Sequence, residues 1–124
     1  MRLLVALFAL MLAIGFATLW LWRRSTGPSA CESREVAQSS SPDGRARADV
    51  FEVRCPGAVS THVALRTQDM PAQARGDVFI ALGNAPVRVL WNGDRELVIE
   101  SPAGRVLVEE TRWRNVSVRV RRLP

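Results

Sequence analysis

Residues 3–22 constrain this chain more than any other feature. They carry no charged side chain, and Thr18 is the one clearly polar residue among them. A helix of that length spans about 30 Å, the thickness of a bilayer's hydrocarbon core. Trp20 and Trp22 close the run, and Arg23 and Arg24 follow directly. Aromatics and then cations are the order expected at a membrane interface. The first reading is an uncleaved transmembrane signal anchor over residues 1–24, because the run is longer than a signal-peptide core and charges stop it cleanly. A cleavable signal peptide is the second. Gly15, Phe16 and Ala17 offer small residues at the right spacing, but inside the apolar run. A lipoprotein signal is the third: Ser29, Ala30 and Cys31 end like a lipobox, with Pro28 in place of the usual aliphatic residue. A buried core helix would need partners that the rest of a 124-residue chain can hardly supply.

The formal charge of +5 belongs partly to this segment. Without Arg2, Arg23 and Arg24 there remain 14 arginines against 12 acids from Ser25 onward. The remainder is nearly balanced, which argues against a nucleic-acid binder with a concentrated basic footprint. Every basic residue is arginine, read here as a compositional bias of the coding genome and not as a function.

Arg2 and the α-amine on one flank of the apolar run are opposed by Arg23 and Arg24 on the other, so the positive-inside rule is close to neutral. The cysteines break the tie. Cys31 and Cys55 are the only two, and both lie outside the apolar run near expected turns or strand ends. A disulfide between them would contribute about 3 kcal/mol to a small domain, and it would persist only in an oxidising compartment. The competing reading is two unrelated buried thiols. Two cysteines and one distant histidine do not make a four-ligand metal site.

Residues 25–30, with Ser25, Gly27, Pro28 and Ser29, read as a linker. Residues 31–38 read as either a strand or a short turn. Ser41-Pro42-Asp43-Gly44 is a turn, with Pro42 setting φ and Asp43-Gly44 tolerating positive φ. Strands are expected over 45–54, 59–66, 77–82, 87–91, 96–100, 105–109 and 113–121. Residues 45–54 place Ala46, Ala48 and Val50 on one face and Phe51 and Val53 on the other, fitting a strand buried on parts of both faces or a bulge near Val50. Asn92-Gly93-Asp94 joins two strands as a hairpin, and 105–109 reads as the third strand of that meander. Val116, Val118 and Val120 alternate with Ser117, Arg119 and Arg121, as in a strand with one core face and one charged face, suited to a protected edge. The expected fold is all-β: a small sandwich or curled antiparallel sheet of about seven strands over 31–124, preceded by one transmembrane helix.

No residue carries a strong catalytic signal. Ser60 and His62 share a strand face, and Asp69 follows, so a Ser-His-acid site using His62 is conceivable. It lacks a nucleophile elbow, and a structural histidine is the preferred reading. Asp94, Glu96, Glu100, Glu109 and Glu110 surround a hairpin meander without an evident cleft, and pairing with neighbouring arginines across strands is expected instead. Arg112, Arg114, Arg119, Arg121 and Arg122, with Trp113 and Trp91, make the candidate interaction surface. Those cations suit anionic headgroups or an acidic partner. Nucleic acid would need stacking aromatics interleaved with them, and only Trp113 is present.

Two resemblances follow. Ser41-Pro42-Asp43-Gly44 before an alanine-containing strand, with Trp91-Asn92-Gly93-Asp94 and Leu97, resembles hairpins of TolB-type β-propellers. The chain has room for about two blades where closure needs at least four, so the likeness is local. Nearly all of 31–124 is similar to a family of short bacterial membrane-anchored or lipoprotein-like proteins. The residues are Cys31, Ser41-Pro42-Asp43-Gly44, Cys55, Gly57-Ala58, Ser60-Thr61-His62-Val63, Gly76-Asp77-Val78-Phe79, Trp91 and Trp113, with Pro56 as a departure from the pattern. That resemblance implies an exported domain with a Cys31–Cys55 bond and implies no activity.

The expectation is a non-enzymatic accessory or interaction subunit of a bacterial cell-envelope complex, single-pass in the inner membrane, with its carboxyl-terminal domain in the periplasm. Membrane lipid would contact residues 3–22, and an envelope protein would be the partner. No cofactor, metal or nucleic acid is expected. A small periplasmic ligand- or envelope-binding module is the alternative, favoured by a concave apolar patch lined by Trp91 or Trp113, and a small hydrolase using His62 is the other.

Overall fold

The computed structural model describes residues 1–25, 31–71, 74–102 and 104–124. Helix α1 (Arg2–Ser25) is built from alanine, leucine and other good helix formers, with no proline. Thr18, the one clearly polar side chain of the uncharged run, donates to the carbonyls of Ile14 at 3.0 Å and Gly15 at 2.9 Å. Arg23 and Arg24 lie in the last turn, where cations meet the negative end of the helix dipole. The Arg24 guanidinium sits 3.9 Å over the Trp20 ring. α1 is long and apolar enough to cross a membrane, and none of its apolar stretch is buried against the rest of the chain. A helix so placed serves equally as an anchor or as a cleavable signal sequence. Of the expected linker, Ser25 ends α1, and 26–30 lie outside the described residues.

Nine strands follow among the described residues: β1 (Glu32–Ser40), β2 (Ala46–Cys55), β3 (Ala58–Thr67), β4 (Gly76–Leu82), β5 (Arg88–Trp91), β6 (Glu96–Pro102), β7 (Val106–Glu109), β8 (Arg112–Trp113) and β9 (Val116–Leu123). They form two sheets, ordered β1-β2-β3-β4-β7 and β5-β6-β9-β8. The domain is thus all-β, but it is neither one curled sheet nor a sandwich of seven strands. The two additional strands are β1, where strand and turn were both open, and the two-residue β8. One continuous core joins the sheets: Ala48, Val50, Val63, Leu65 and Phe79 on the first, Leu97, Ile99, Val116 and Val118 on the second. The strict valine alternation in β9 is reproduced, with Val116 and Val118 buried and Ser117, Arg119 and Arg121 exposed.

Three bulges adjust the first sheet. Val36 is the extra residue in β1, opposite Val50 and Phe51, so the irregularity expected near Val50 lies in the partner strand. The β4 bulge at Val78 turns adjacent residues Val78 and Phe79 both into the core. A third, at Leu107, leaves that side chain exposed on β7.

The expected meander does not form. β5 and β6 make the Asn92-Gly93 hairpin, with Gly93 at φ 86°, but β7 leaves it and pairs antiparallel with β4. β6 instead pairs in parallel with β9. Pro102 lacks an N–H and ends β6 without a tight return turn, and the chain crosses to the other sheet, where Leu82 N donates to the Arg105 carbonyl at 2.9 Å. β9 is therefore interior in sheet order, not an edge strand. Its neighbour β8 covers only its first two residues.

Cys31 and Cys55 are disulfide-bonded, and no free cysteine exists. The bond ties the start of β1 to the end of β2, where Glu32 already pairs with Arg54.

Candidate functional site

Alternation along β5, β6, β8 and β9 sends one set of side chains out of the four-stranded sheet. The parallel and antiparallel registers align them in three rows across the strands. Arg88, Glu100 and Arg121 form one row, Leu90, Val98 and Arg119 the next, and Glu96, Ser117 and Arg112 the third. The centre is apolar, with Leu90 40% exposed, and the surround carries four arginines against two glutamates. Arg119 pairs with Glu96 at 3.2 Å and Arg121 with Glu100 at 3.7 Å. The arginines of both pairs are mostly exposed, so solvent screens the pairing and the guanidinium edges stay available. The Arg88 and Arg112 side chains have no ion pair or hydrogen bond among the described residues.

The expected interaction surface is thereby divided. Arg112, Arg119 and Arg121 share this face. Arg122 turns to the opposite side of β9 and meets Glu109 at 3.6 Å. Arg114 sits in the β8–β9 turn at φ 52° and reaches Thr67 Oγ1 at 3.1 Å and Asp69 Oδ2 at 3.4 Å. Both tryptophans point inward. Trp91 packs on the core and donates from Nε1 to the Ser39 carbonyl at 3.1 Å, joining the two sheets. Trp113 packs on the core and over the Gly76 backbone. Alternation alone could have identified Arg88, Leu90 and Val98, which the sequence reading passed over.

A second cluster lies where four turns meet at the end of the domain away from the disulfide. Ser41 Oγ donates to Asp43 Oδ1 at 2.7 Å and accepts from Ala46 N at 3.1 Å, which explains the Ser-Pro-Asp-Gly sequence of that turn. The Ser41 hydroxyl holds the Asp43 carboxyl below its ordinary range, and Asp43 N in turn donates to Asp94 Oδ1 at 2.9 Å. Across a cleft of about 300 Å³ lined by Asp43, Arg45, Gln68 and Asn115, the Thr67 hydroxyl lowers Asp69 in the same way. Each acid here is already committed to a hydroxyl, a backbone amide or an arginine.

His62 lies on the outer face of the five-stranded sheet, with Phe51 and Ile80 as cross-strand neighbours. Ser60 Oγ and His62 Nε2 are 2.9 Å apart. The buried Nδ1 has no hydrogen-bond partner, so no acid completes a triad, and Asp69 is held at the turn by Arg114. Burial lowers the His62 pKa; Asp77 opposes the shift and Arg75 adds to it. Arg75 lies across this face, 4.3 Å over the Phe51 ring. Beside it Arg47 grips the fully buried Asp49 through two hydrogen bonds, at 2.7 and 3.0 Å. That pair explains why β2 is buried on parts of both faces.

Among the described residues, no group of three or more His, Cys, Asp or Glu side chains is placed to hold a metal ion. Comparison with protein-family models, with curated proteins and with solved structures finds no match to this chain.

Proposed function

We propose that this chain is a membrane-anchored, extracytoplasmic interaction module of a bacterial cell envelope. α1 is retained as the anchor, and the domain engages a partner protein through the outer face of its four-stranded sheet. The observation that carries the reading is a disulfide-closed β domain that starts six residues after an apolar helix with no buried face. A disulfide suits an oxidising compartment, and an exposed apolar helix suits lipid. Leu90 and Val98 ringed by Arg88, Arg112, Arg119 and Arg121 support a partner with an apolar centre and an acidic rim. On this reading the chain belongs with the short membrane-anchored bacterial proteins that its motifs resemble.

The test has two parts. Intact mass of the native protein, before and after reduction, is expected to show residues 1–124 with both thiols protected until reduction; free native thiols overturn the compartment. A photocrosslinking residue in place of Leu90 is expected to trap one discrete protein in cells, and the same residue at Ile80 on the opposite sheet is not. Trapping at both positions or at neither refutes the face assignment.

The contact between Ser60 and His62 supports a second reading, a small hydrolase. It requires that a serine-reactive phosphonate label Ser60 and that His62→Ala abolish the labelling.

A further inference from the structure

The two ends of the β domain differ in where their acids lie, and the topology decides which end lies by the anchor. β1 leaves the anchor side and runs to Ser40. The Cys31–Cys55 bond, the β2–β3 turn, the end of β4, the start of β5, the end of β6 and the end of β9 all lie at the starting end. The pairings of Glu32 with Arg54, Arg88 with Glu100, Glu100 with Arg121, and Pro102 with Leu123 place them there. Hydrogen bonds from Gly83 N to the Val59 carbonyl at 2.7 Å and from Leu82 N to the Arg105 carbonyl at 2.9 Å agree. Asp43, Asp69 and Asp94 occupy turns at the far end, together with Arg45, Arg95 and Arg114. The connections at the near end, 55–58, 83–87 and 102–105, contain no acid at all. Arg54, Arg88, Arg105, Arg121 and Arg122 stand around that rim with Glu32, and Arg54, Arg121 and Arg122 meet Glu52, Glu100 and Glu109 in ion pairs. The Arg88 and Arg105 side chains are exposed and make no ion pair or side-chain hydrogen bond among the described residues.

The tether limits the poses. Six Cα steps from Ser25 to Cys31 reach at most about 20 Å. The ten-residue β2 is about 33 Å long. An inverted domain, with its far turns on the bilayer, would hold Cys31 beyond that reach. Charge then acts on the near rim, within a screening length of about 8 Å at physiological salt.

We infer that the anchor-side rim, through Arg88 and Arg105 with Arg121 and Arg122, docks on anionic lipid headgroups of the membrane that holds α1. The docked domain stands upright and turns its four-stranded sheet face sideways, parallel to the membrane normal, towards a neighbour in the same membrane. This rests on the reading of α1 as a retained anchor.

The experiment uses the full chain in nanodiscs of phosphatidylcholine alone, or with one third phosphatidylglycerol, each doped with a gadolinium-chelating headgroup lipid. Backbone amide relaxation is read at Gly57, Asn84, Arg88 and Arg105, and at Gly44 and Gly93 for the far end. The anionic discs are expected to raise relaxation at the rim at least threefold over the neutral discs and to leave the far end unchanged. Molar salt, or the Arg88→Glu/Arg105→Glu variant with an otherwise unchanged amide spectrum, is expected to return the rim to its neutral-disc value. Should that variant not fold, Arg88→Gln/Arg105→Gln carries the comparison. Rim relaxation indifferent to lipid charge, or equal enhancement at both ends, overturns the docking while leaving the anchor intact. A chain that does not enter the discs overturns the anchor reading and the docking together.

Discussion

Gly76→Ala adds a single methyl group at the start of β4, and its effect follows from one contact. An ideal Cβ at Gly76 lies 2.2 Å from Trp113 Nε1, 2.5 Å from Cε2 and 2.8 Å from Cζ2. Non-bonded carbon contacts are comfortable at about 3.5 Å, so the indole must retreat by about 1.3 Å. Trp113 packs on the core and pairs with Val116 across the β8–β9 ladder, so retreat opens a gap over buried residues. Overpacking of this kind costs about 1–3 kcal/mol, and a clash with three ring atoms belongs near the upper end. For a domain of this size, about 3 kcal/mol lowers Tm by roughly 12–24 °C. Trp113→Ala is expected to cost about 2 kcal/mol by itself, less than a fully buried tryptophan because the ring is partly exposed. In that background the clash is gone. Gly76→Ala is then expected to be neutral or to stabilise by about 0.5 kcal/mol, because glycine weakens a strand interior. Thermal unfolding of the four full-length proteins in one detergent, followed by circular dichroism, closes the cycle with a coupling of about 3 kcal/mol. An equal cost of Gly76→Ala in both backgrounds refutes the claim that glycine is needed there to admit the indole.

Cys31→Ser/Cys55→Ser is expected to lose about 3.5 kcal/mol by loop-closure entropy, and hydrogen exchange should accelerate first in β1 before its bulge, over residues 32–35. Arg47→Ala leaves the Asp49 carboxylate buried without its partner and is expected to cost about 3 kcal/mol in denaturant unfolding; Asp49→Asn, which removes the charge as well, should cost less. Burial depresses the His62 pKa below its unfolded value near 6.5, so the unfolded chain binds the extra proton first. Stability is therefore expected to fall as pH drops from about 7.5 through 6.5 towards 5.5, and His62→Gln should flatten that part of the pH–Tm profile.

Much of the fold is legible one strand at a time. The valine alternation in β9 identifies its inner face because side chains repeat every two residues, whatever the neighbour. Asn92-Gly93 identifies a hairpin because the turn needs a positive φ that glycine supplies. Of the five acids around the hairpin region, three find arginines, Glu96 with Arg119, Glu100 with Arg121 and Glu109 with Arg122, while Asp94 accepts from Asp43 N instead. The candidate site is less legible. Five arginines within residues 112–122 look like one patch, yet Arg114, Arg119 and Arg122 face three directions once β8 and β9 turn back on each other. Trp91 and Trp113 are expected at a surface, and both pack on the core while staying partly exposed.

What the chain alone determines is therefore local or covalent. An uncharged run as long as a bilayer is thick, two cysteines, and the inner and outer faces of each strand all follow from residue type and spacing. Strand partners do not. The Pro102 region signals a change of direction, but β7 joins β4 and β6 accepts β9 because that arrangement buries both sheets' apolar faces in one core. Only that long-range choice sets Leu90 and Val98 among arginines from three strands, gathers the acid-free connections at the anchor side, and sends Asp43, Asp69 and Asp94 to the far end.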